Sequence, residues 1–451
     1  MANSSLQRSR TAGSTKTKFT VSMWVKRSAN NAKYLMVNYT DDSNRGLIQF
    51  GGSNEFLFQS RYSNSVNASI QTNRKFRDTS GWYHFVLIGD STLATAADRL
   101  KLYVNGVRET SFASETQISQ NGNFYLNEAT TNGFRVGEKG DGSDFFDGYI
   151  SHFVFLDGVA AAYTDFGQTD STSGIWKFKV PSGLTFGTNG VHLKFENSGN
   201  LGLDSSGNTN NMSVNGNLKQ ALDTPSNTYC TMNPLDNYYP ASTFTTGNNS
   251  IGTAGSRRSY NTGTLGVSSG KWYWEVKAVS SVTASNGCWI GIASTNATND
   301  GVSSQQTLGY KQYDYGFSSS TGNINTNNSQ SSYGSGYGDN DIVGVAMDLD
   351  NNKLYFHVNG TYENSGVPTS GSTGTGSVSI QAPSGTLNGV YTPGLGDWWT
   401  SGFNVAFNFG NGFFGTTAIT SAGSNGNGSL FEYDVPNGYY ALNTKNINTY
   451  G

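Results

Sequence analysis

Segments of alternating polarity run along the whole chain and end at glycine, asparagine, aspartate or serine. The segment FTVSMWVKR, residues 19–27, is a clear case. Successive side chains of a β-strand point to opposite faces. One face would then carry Phe19, Val21, Met23 and Val25, and the other Thr20, Ser22 and Trp24. Helical periodicity is nearly absent, and the best candidate for a helix is a turn or two within LATAADRL, 93–100. The pattern predicts an all-β protein.

One strand-and-turn sequence occurs twice. KLYVNG at 101–106 returns as KLYFHVNG at 353–360. Asn-Gly tolerates the positive φ angles of a tight hairpin turn, so each copy predicts a strand followed by a reversal. Two copies this far apart indicate two domains of related architecture rather than a short repeat.

Length and composition agree with two antiparallel β-sandwiches in tandem. The chain has 451 residues, too many for one hydrophobic core. Its apolar fraction is only 35%, but 13% of its residues are aromatic, which suits thin sheets packed face to face. We predict a first sandwich over 1–216, a connector over 217–240 that contains Pro225 and Pro234, and a second sandwich over 241–451.

Charge and termini exclude several functions. The net charge of −3 gives no global basic field for nucleic acid. About 15 of the 28 Lys and Arg residues fall in the first 110 positions beside about 7 acidic residues, an asymmetry that can mark a docking face. The polar N-terminus shows no secretory signal, and no apolar run could span a bilayer. With two cysteines, Cys230 and Cys288, no disulfide framework is expected, so we expect a chain made in a reducing cytoplasm.

Several segments resemble known domain families. FTVSMWVKR, LKLYVNG and LGLDSSGNTNNMSV are similar to a laminin-G-like, concanavalin A-like domain. SGKWYWEVKA, WIGIA, FNFGNGFF and PNGYYALNT are similar to a SPRY domain. This order of domains, joined by a connector such as DTPSNTYCTMNPLDN, resembles structural proteins of tailed bacteriophages, marine ones especially.

The resemblance implies that both sandwiches are jelly-rolls of the concanavalin A-like type. It also implies a virion surface protein, such as a tail fibre, that binds a host-surface glycan or receptor and contacts other virion proteins. Such proteins are commonly homo-oligomers, and trimers are favoured. A capsid decoration or head-fibre protein with a mainly structural role stays open as the alternative. No membrane insertion and no nucleic-acid partner is expected.

Catalytic constellations are absent from the sequence, so we predict that the chain is not an enzyme. A surface polysaccharide hydrolase would need a pair of carboxylates on one strand face; Asp348 and Asp350 come nearest, but they flank a turn. Gly-x-Ser-x-Gly occurs around Ser268, where no helix follows. The histidines fall on four separate strands, without metal-ligand spacing: His84, His152, His192 and His357.

Two groups of residues are candidates for binding. The glycine-rich loop GDGSDFFDG carries Asp141, Asp144 and Asp147, which are weak candidates for calcium because it prefers oxygen ligands on flexible loops. No other cofactor is expected. Aromatic rings framed by small loop residues are typical of sugar-stacking or paratope-like surfaces. They are Tyr333, Tyr337, Trp398 and Trp399. Tyr313, Tyr315 and Phe317 instead alternate as core residues would.

Overall fold

The computed structural model describes residues 3–11, 15–238, 242–255, 258–282, 287–294, 307–398 and 401–451. The chain divides into two compact units, Met1–Gln220 and Ala221–Gly451. Strands account for 45% of the structure and helices for 7%, and the sheets are antiparallel and fit β-sandwiches. The predicted fold class is therefore confirmed.

The first unit contains an eight-stranded and a six-stranded sheet. Its strands are β1 Ser5–Arg10, β2 Lys18–Arg27, β3 Lys33–Asp41, β4 Asn44–Phe50, β5 Glu55–Tyr62, β6 Ser65–Lys75, β7 Tyr83–Asp90, β8 Leu100–Val104, β9 Val107–Arg108, β10 Phe112–Thr116, β11 Thr130–Val136, β12 Gly148–Asp157, β13 Gly167–Thr169, β14 Trp176–Phe178, β15 Val191–Leu193 and β16 Ser213–Asn215. Short 3₁₀ helices are Ala96–Asp98, Tyr125–Asn127 and Tyr163–Asp165. The sheet orders are β10-β6-β5-β4-β3-β11-β1-β16 and β15-β12-β2-β7-β8-β9, and β13 pairs with β14 separately.

The side chains of strand β2 show how each face of the six-stranded sheet is buried. Its predicted apolar face, from Phe19 to Val25, lies in the main core. Its other face is buried too, since Trp24 is only 4% exposed. Residues 159–190, which we name the covering segment, account for this: Thr20 Oγ1 donates to the Val159 carbonyl, and the ring of Trp176 packs near His84. The sheet is thus covered on both faces.

The second unit contains a seven-stranded and a nine-stranded sheet. Its strands are β17 Met232–Tyr238, β18 Thr243–Thr245, β19 Ser250–Gly252, β20 Ser259–Gly263, β21 Lys271–Ser280, β22 Cys288–Ala293, β23 Tyr315–Ser318, β24 Ile324–Thr326, β25 Ser329–Ser331, β26 Ile342–Asp348, β27 Lys353–Val358, β28 Thr361–Tyr362, β29 Val378–Ser379, β30 Thr392–Asp397, β31 Asn404–Asn408, β32 Phe413–Phe414, β33 Thr417–Ala418 and β34 Tyr440–Ala441. The 3₁₀ helices are Glu363–Ser365, Pro368–Thr373 and Pro383–Gly385, and α1 is Thr444–Tyr450. The seven-stranded order is β17-β20-β30-β22-β23-β24-β25. The nine-stranded sheet runs β18-β19-β31-β21-β26-β27-β28, with β29 on β27 and β34 on β21.

The duplicated Asn-Gly turns form as the sequence predicts. Asn105 and Gly106 have φ angles of 49° and 77° between β8 and β9. Asn359 and Gly360 have φ angles of 50° and 86° between β27 and β28. Positive φ at both central positions matches the twist of the flanking strands. The weak helical candidate at 93–100 contains only a single 3₁₀ turn.

The predicted connector does not form one separate linker. The two units divide between Gln220 and Ala221, and residues 229–232 are buried in the second unit. Pro234 lies within β17, the edge strand of the seven-stranded sheet, where the register shifts between Met232 and Asn237. An edge strand tolerates proline because its outer amide has no ladder partner to lose, so Pro234 does not mark a domain boundary.

Candidate binding surfaces

Two of the four predicted contact residues lie inside the second sandwich. Tyr333 is 9% exposed and Tyr337 4% exposed, and both pack in the main core against Phe317. The Tyr337 hydroxyl donates to the Cys288 carbonyl at 2.9 Å, and the Tyr333 hydroxyl accepts from the Phe356 amide at 3.2 Å. Their glycine-rich surroundings suggested surface loops, but these hydroxyls satisfy buried backbone groups. The prediction of a contact surface is wrong for these two tyrosines.

Trp398 takes a different position, at one end of the seven-stranded sheet. It follows β30 directly, and its amide donates to the Gly287 carbonyl just before β22. The ring is half-buried. It stacks on Trp289 at a centroid distance of 5.0 Å, and the Arg258 guanidinium lies 3.6 Å from its centre. Trp399, the neighbouring candidate, lies outside the described residues.

These contacts hold the Trp398 ring in one orientation while leaving part of it accessible. A cation over an aromatic face is attracted by the ring quadrupole, and offset aromatic pairs stabilise each other by roughly 0.5–1.5 kcal/mol beyond area burial. Sequence reasoning did not select Trp289 or Arg258. The alternation of WIGIA could have placed Trp289 opposite Ile290, on the outer face of β22, but nothing in the sequence joins Arg258 to that face.

A hollow with a volume of about 320 Å³ lies elsewhere on the second unit, beside the irregular part of β17. Its lining is mostly amide, hydroxyl and carboxylate groups with aliphatic patches, and Thr262 Oγ1 donates to the Asp236 carboxylate. Leu235 at its rim is 51% exposed. The hollow has no aromatic lining residue among those described.

The loop at 140–148 pairs its carboxylates with lysines. Asp141 lies 2.8 Å from Lys139 and also accepts from Ser143, and these bonds keep the pKa of Asp141 lowered although burial opposes them. Asp144 lies 3.6 Å from Lys33. Burial raises the pKa of Asp147. Among the described residues no group of three His, Cys, Asp or Glu side chains is arranged to hold a metal ion, so the arrangement of these three aspartates does not fit a calcium cage.

Carboxylates with raised pKa values often mark catalytic sites. Here Glu275 and Asp314 both have raised pKa values, but both side chains are fully buried and no substrate could reach them. Burial raises the pKa of Glu275 to about 7, and the side chain accepts from the Glu432 and Tyr433 amides with no exposed surface. Burial likewise raises the pKa of Asp314 to about 6, where Tyr260 and Ser294 bond to it. Both carboxylates fix the structure around them.

Three of the four histidines are buried as well and His152 is half-buried, which matches their alternation with apolar residues. His84, His192 and His357 are each less than 5% exposed. His357 Nε2 bonds to the Tyr273 hydroxyl at 2.7 Å, and His84 Nδ1 accepts from Trp176 Nε1 at 2.9 Å. Ser268 lies in an exposed stretch just before β21, where no helix follows.

Two family models match parts of the chain. Residues 2–164 match the concanavalin A-like lectin/glucanases superfamily, and residues 271–378 match the SPRY domain. The chain therefore carries a concanavalin A-like domain followed by a SPRY domain, as the sequence predicts. Both are binding-type folds, which suggests a role in binding carbohydrate or protein.

Solved structures give weaker likenesses. The SPRY domain of human HERC1 is 13% identical, with a TM-score of 0.29, over 39% of this chain and 96% of that one. Another human SPRY domain is 15% identical, with a TM-score of 0.25, over 35% and 90%. A heptameric SAP-like pentraxin from Limulus polyphemus is 16% identical, with a TM-score of 0.26, over 35% and 71%. No curated protein sequence matches the chain. Within the described residues, no helix is both long and apolar enough to cross a membrane.

Proposed function

We propose that this chain is a non-enzymatic virion surface protein of a tailed bacteriophage, a tail fibre or a similar part, whose second unit binds a host-surface glycan or receptor. The order of the two domains and the connector sequence support the phage assignment, because they resemble those of structural proteins of tailed phages. The two binding-type domains support recognition rather than catalysis.

The position of Trp398 is the observation that best supports a contact between the second unit and a host-surface glycan or receptor. Its ring is half-buried at the end of a sheet and packed against Trp289 and Arg258. A rigid aromatic loses little conformational entropy when a ligand covers it. Sugar rings present apolar C–H faces, and protein receptors present apolar side chains, so either partner would gain from covering the exposed part.

A pair of tryptophan variants tests this contact. Trp398→Ala is expected to abolish adsorption to host cells while the protein still unfolds at a temperature within a few degrees of wild type. Trp274→Ala is the matched control, because Trp274 is fully buried in the core and its truncation costs roughly 3–5 kcal/mol. If Trp398→Ala adsorbs normally, this end of the sheet is not the contact surface.

We propose that the first unit attaches the protein to the virion. The first 110 residues hold about eight more basic than acidic side chains, and such a face can steer docking to an acidic partner. Electron microscopy of the intact particle would locate the chain. A position on the tail with residues 221–451 outward fits the proposal. A position on the shell indicates a capsid decoration protein instead, and sugar release from host polysaccharide would show an enzyme.

A further inference from the structure

A second hollow, on the first unit, has a volume of about 390 Å³. We name it the Phe195 groove, and it lies where the chain leaves β15. Small-molecule sites commonly have volumes of about 300–1,000 Å³. Its side chains come from two stretches that run past each other, 194–200 and 203–205.

Hydrogen bonds fix both walls of the groove. The Asp204 carboxylate accepts from the His192 amide at 2.9 Å, and the Ser205 amide donates to the His192 carbonyl at 2.8 Å. On the other wall the Asn200 amide donates to the Asn197 carbonyl at 3.0 Å. These backbone bonds do not involve the side chains of Asn200 or of Glu196, so a ligand would meet walls that are already ordered, which lowers the cost of binding.

Phe195 is held in an unusual backbone conformation. Its φ angle is 60°, and its carbonyl accepts from Gln220 Nε2 at 2.7 Å. A bulky residue at positive φ is a steric outlier that persists where surrounding contacts fix it, and such strain is often found at functional sites. The half-buried ring packs against the main core and also lines the groove, so it supplies an apolar wall.

Apart from Phe195 and Leu203 the lining of the groove is polar, and its charged side chains sum to no net charge. Lys194 and Glu196 form an ion pair at 4.0 Å, with side chains 35% and 72% exposed. An ion pair this exposed stabilises the protein little, so Glu196 can accept from a ligand hydroxyl at small cost. The amides of Asn197 and Asn200 add donors and acceptors, and Leu203 extends the apolar wall.

We propose that the Phe195 groove binds one or two units of a neutral saccharide. A sugar ring combines an apolar C–H face, for Phe195, with closely spaced hydroxyls, for the carboxylate and amides. The groove lies outside residues 2–164, the part of the chain that matches the concanavalin A-like family model. It also lies on a different unit from Trp398, so this proposal and the one above can fail separately.

Saturation-transfer NMR of the full chain with maltose, cellobiose, lactose and chitobiose tests the proposal. We expect transfer to at least one of these sugars from the wild-type protein. Asn200→Ala and Glu196→Gln should each weaken that binding at least about fivefold, the effect of one lost hydrogen bond. Both positions are exposed, and Asn200→Ala keeps the backbone bond of that residue, so both variants should fold.

Two controls make the result decisive. Glu115→Gln, at an exposed position on β10 of the same unit, should bind as wild type does. Trp398→Ala should keep the sugar binding even if it loses adsorption to cells. The proposal is overturned if no sugar receives saturation, if Asn200→Ala and Glu196→Gln both bind normally, or if Glu115→Gln weakens binding as much as they do.

Discussion

At the scale of single residues, local sequence context did not separate exposed aromatic rings from buried ones. Tyr337 and Trp398 both follow glycine-rich stretches, yet the first is 4% exposed and donates to the Cys288 carbonyl, while the second is half-buried at the end of a sheet. Burial depends on strands distant in sequence, here β22 and β23. The aromatic residues of a loop therefore need the tertiary structure before any of them can be assigned to a surface.

Glu275 gives a prediction about pH. Burial raises its folded pKa to about 7, above the ordinary 4.5, so the folded state binds more protons than the unfolded state between these values. Stability of the second unit should therefore fall as pH rises from 4.5 to 7, by on the order of 3 kcal/mol from this group. Urea unfolding of wild type and Glu275→Gln should show a much flatter pH slope in the variant. An unchanged slope would mean that Glu275 is already ionised in the folded protein at low pH.

At the scale of elements, the covering segment explains why the second face of β2 is buried, which the alternation of its sequence did not predict. It places an aromatic ring against each of three histidines on the outer face of the six-stranded sheet. Trp176 stacks near His84 at 6.1 Å, Phe178 on His152 at 3.7 Å and Phe186 near His192 at 6.3 Å. The histidines come from β7, β12 and β15, so one segment covers three strands.

The packing between the covering segment and these three histidines should become less stable at acidic pH. Burial lowers the pKa of His84 to about 3, and of His152 and His192 to about 4, while Lys194 also lowers the pKa of the last two. Each folded pKa lies below the unfolded value of 6.5, so the stability that these neutral rings contribute is present above pH 6.5 and is lost as pH falls toward 4. Asp204 and Glu196 oppose the shift at His192 only in part.

Hydrogen exchange followed by mass spectrometry measures this loss. After correction for the intrinsic rate, peptides within 174–188 should exchange faster at pH 4.5 than at pH 7, because at pH 4.5 these histidines bind protons when the layer opens but stay mostly neutral while it is closed. Peptides from β3 and β4, in the other sheet of the unit, provide the internal control. Equal protection of 174–188 at both pH values would contradict the prediction.

At the scale of the whole molecule, the two units differ in charge. Residues 1–220 hold 21 Lys and Arg beside 18 Asp and Glu, whereas residues 221–451 hold 7 beside 13. The first unit is therefore net positive by 3 and the second net negative by 6. This difference underlies the proposed attachment through the first unit, which should weaken as salt concentration rises.

The division into two units also predicts where a protease cuts first. Trypsin should cleave after Lys219, which is exposed and lies next to the boundary at Gln220, and should leave two resistant pieces of similar size. Mass spectrometry of a time course identifies the first cut. Early cleavage within 99–106 or 341–360 would contradict the division.

The sequence by itself determined the features that depend on neighbouring residues. Alternation predicted the apolar face of β2, and Asn105-Gly106 and Asn359-Gly360 predicted two tight turns, because side-chain direction and φ preference are properties of the local backbone. The motifs around these strands also indicated both domain families.

Only the tertiary structure decided features that depend on residues far apart in the chain. It buried the second face of β2 under the covering segment, placed Tyr333 and Tyr337 in the core, and joined Arg258 to Trp398. It also packed Phe195 against the main core, which gives the Phe195 groove its apolar wall. Burial and long-range contacts arise from the path of the whole chain, which no local pattern encodes.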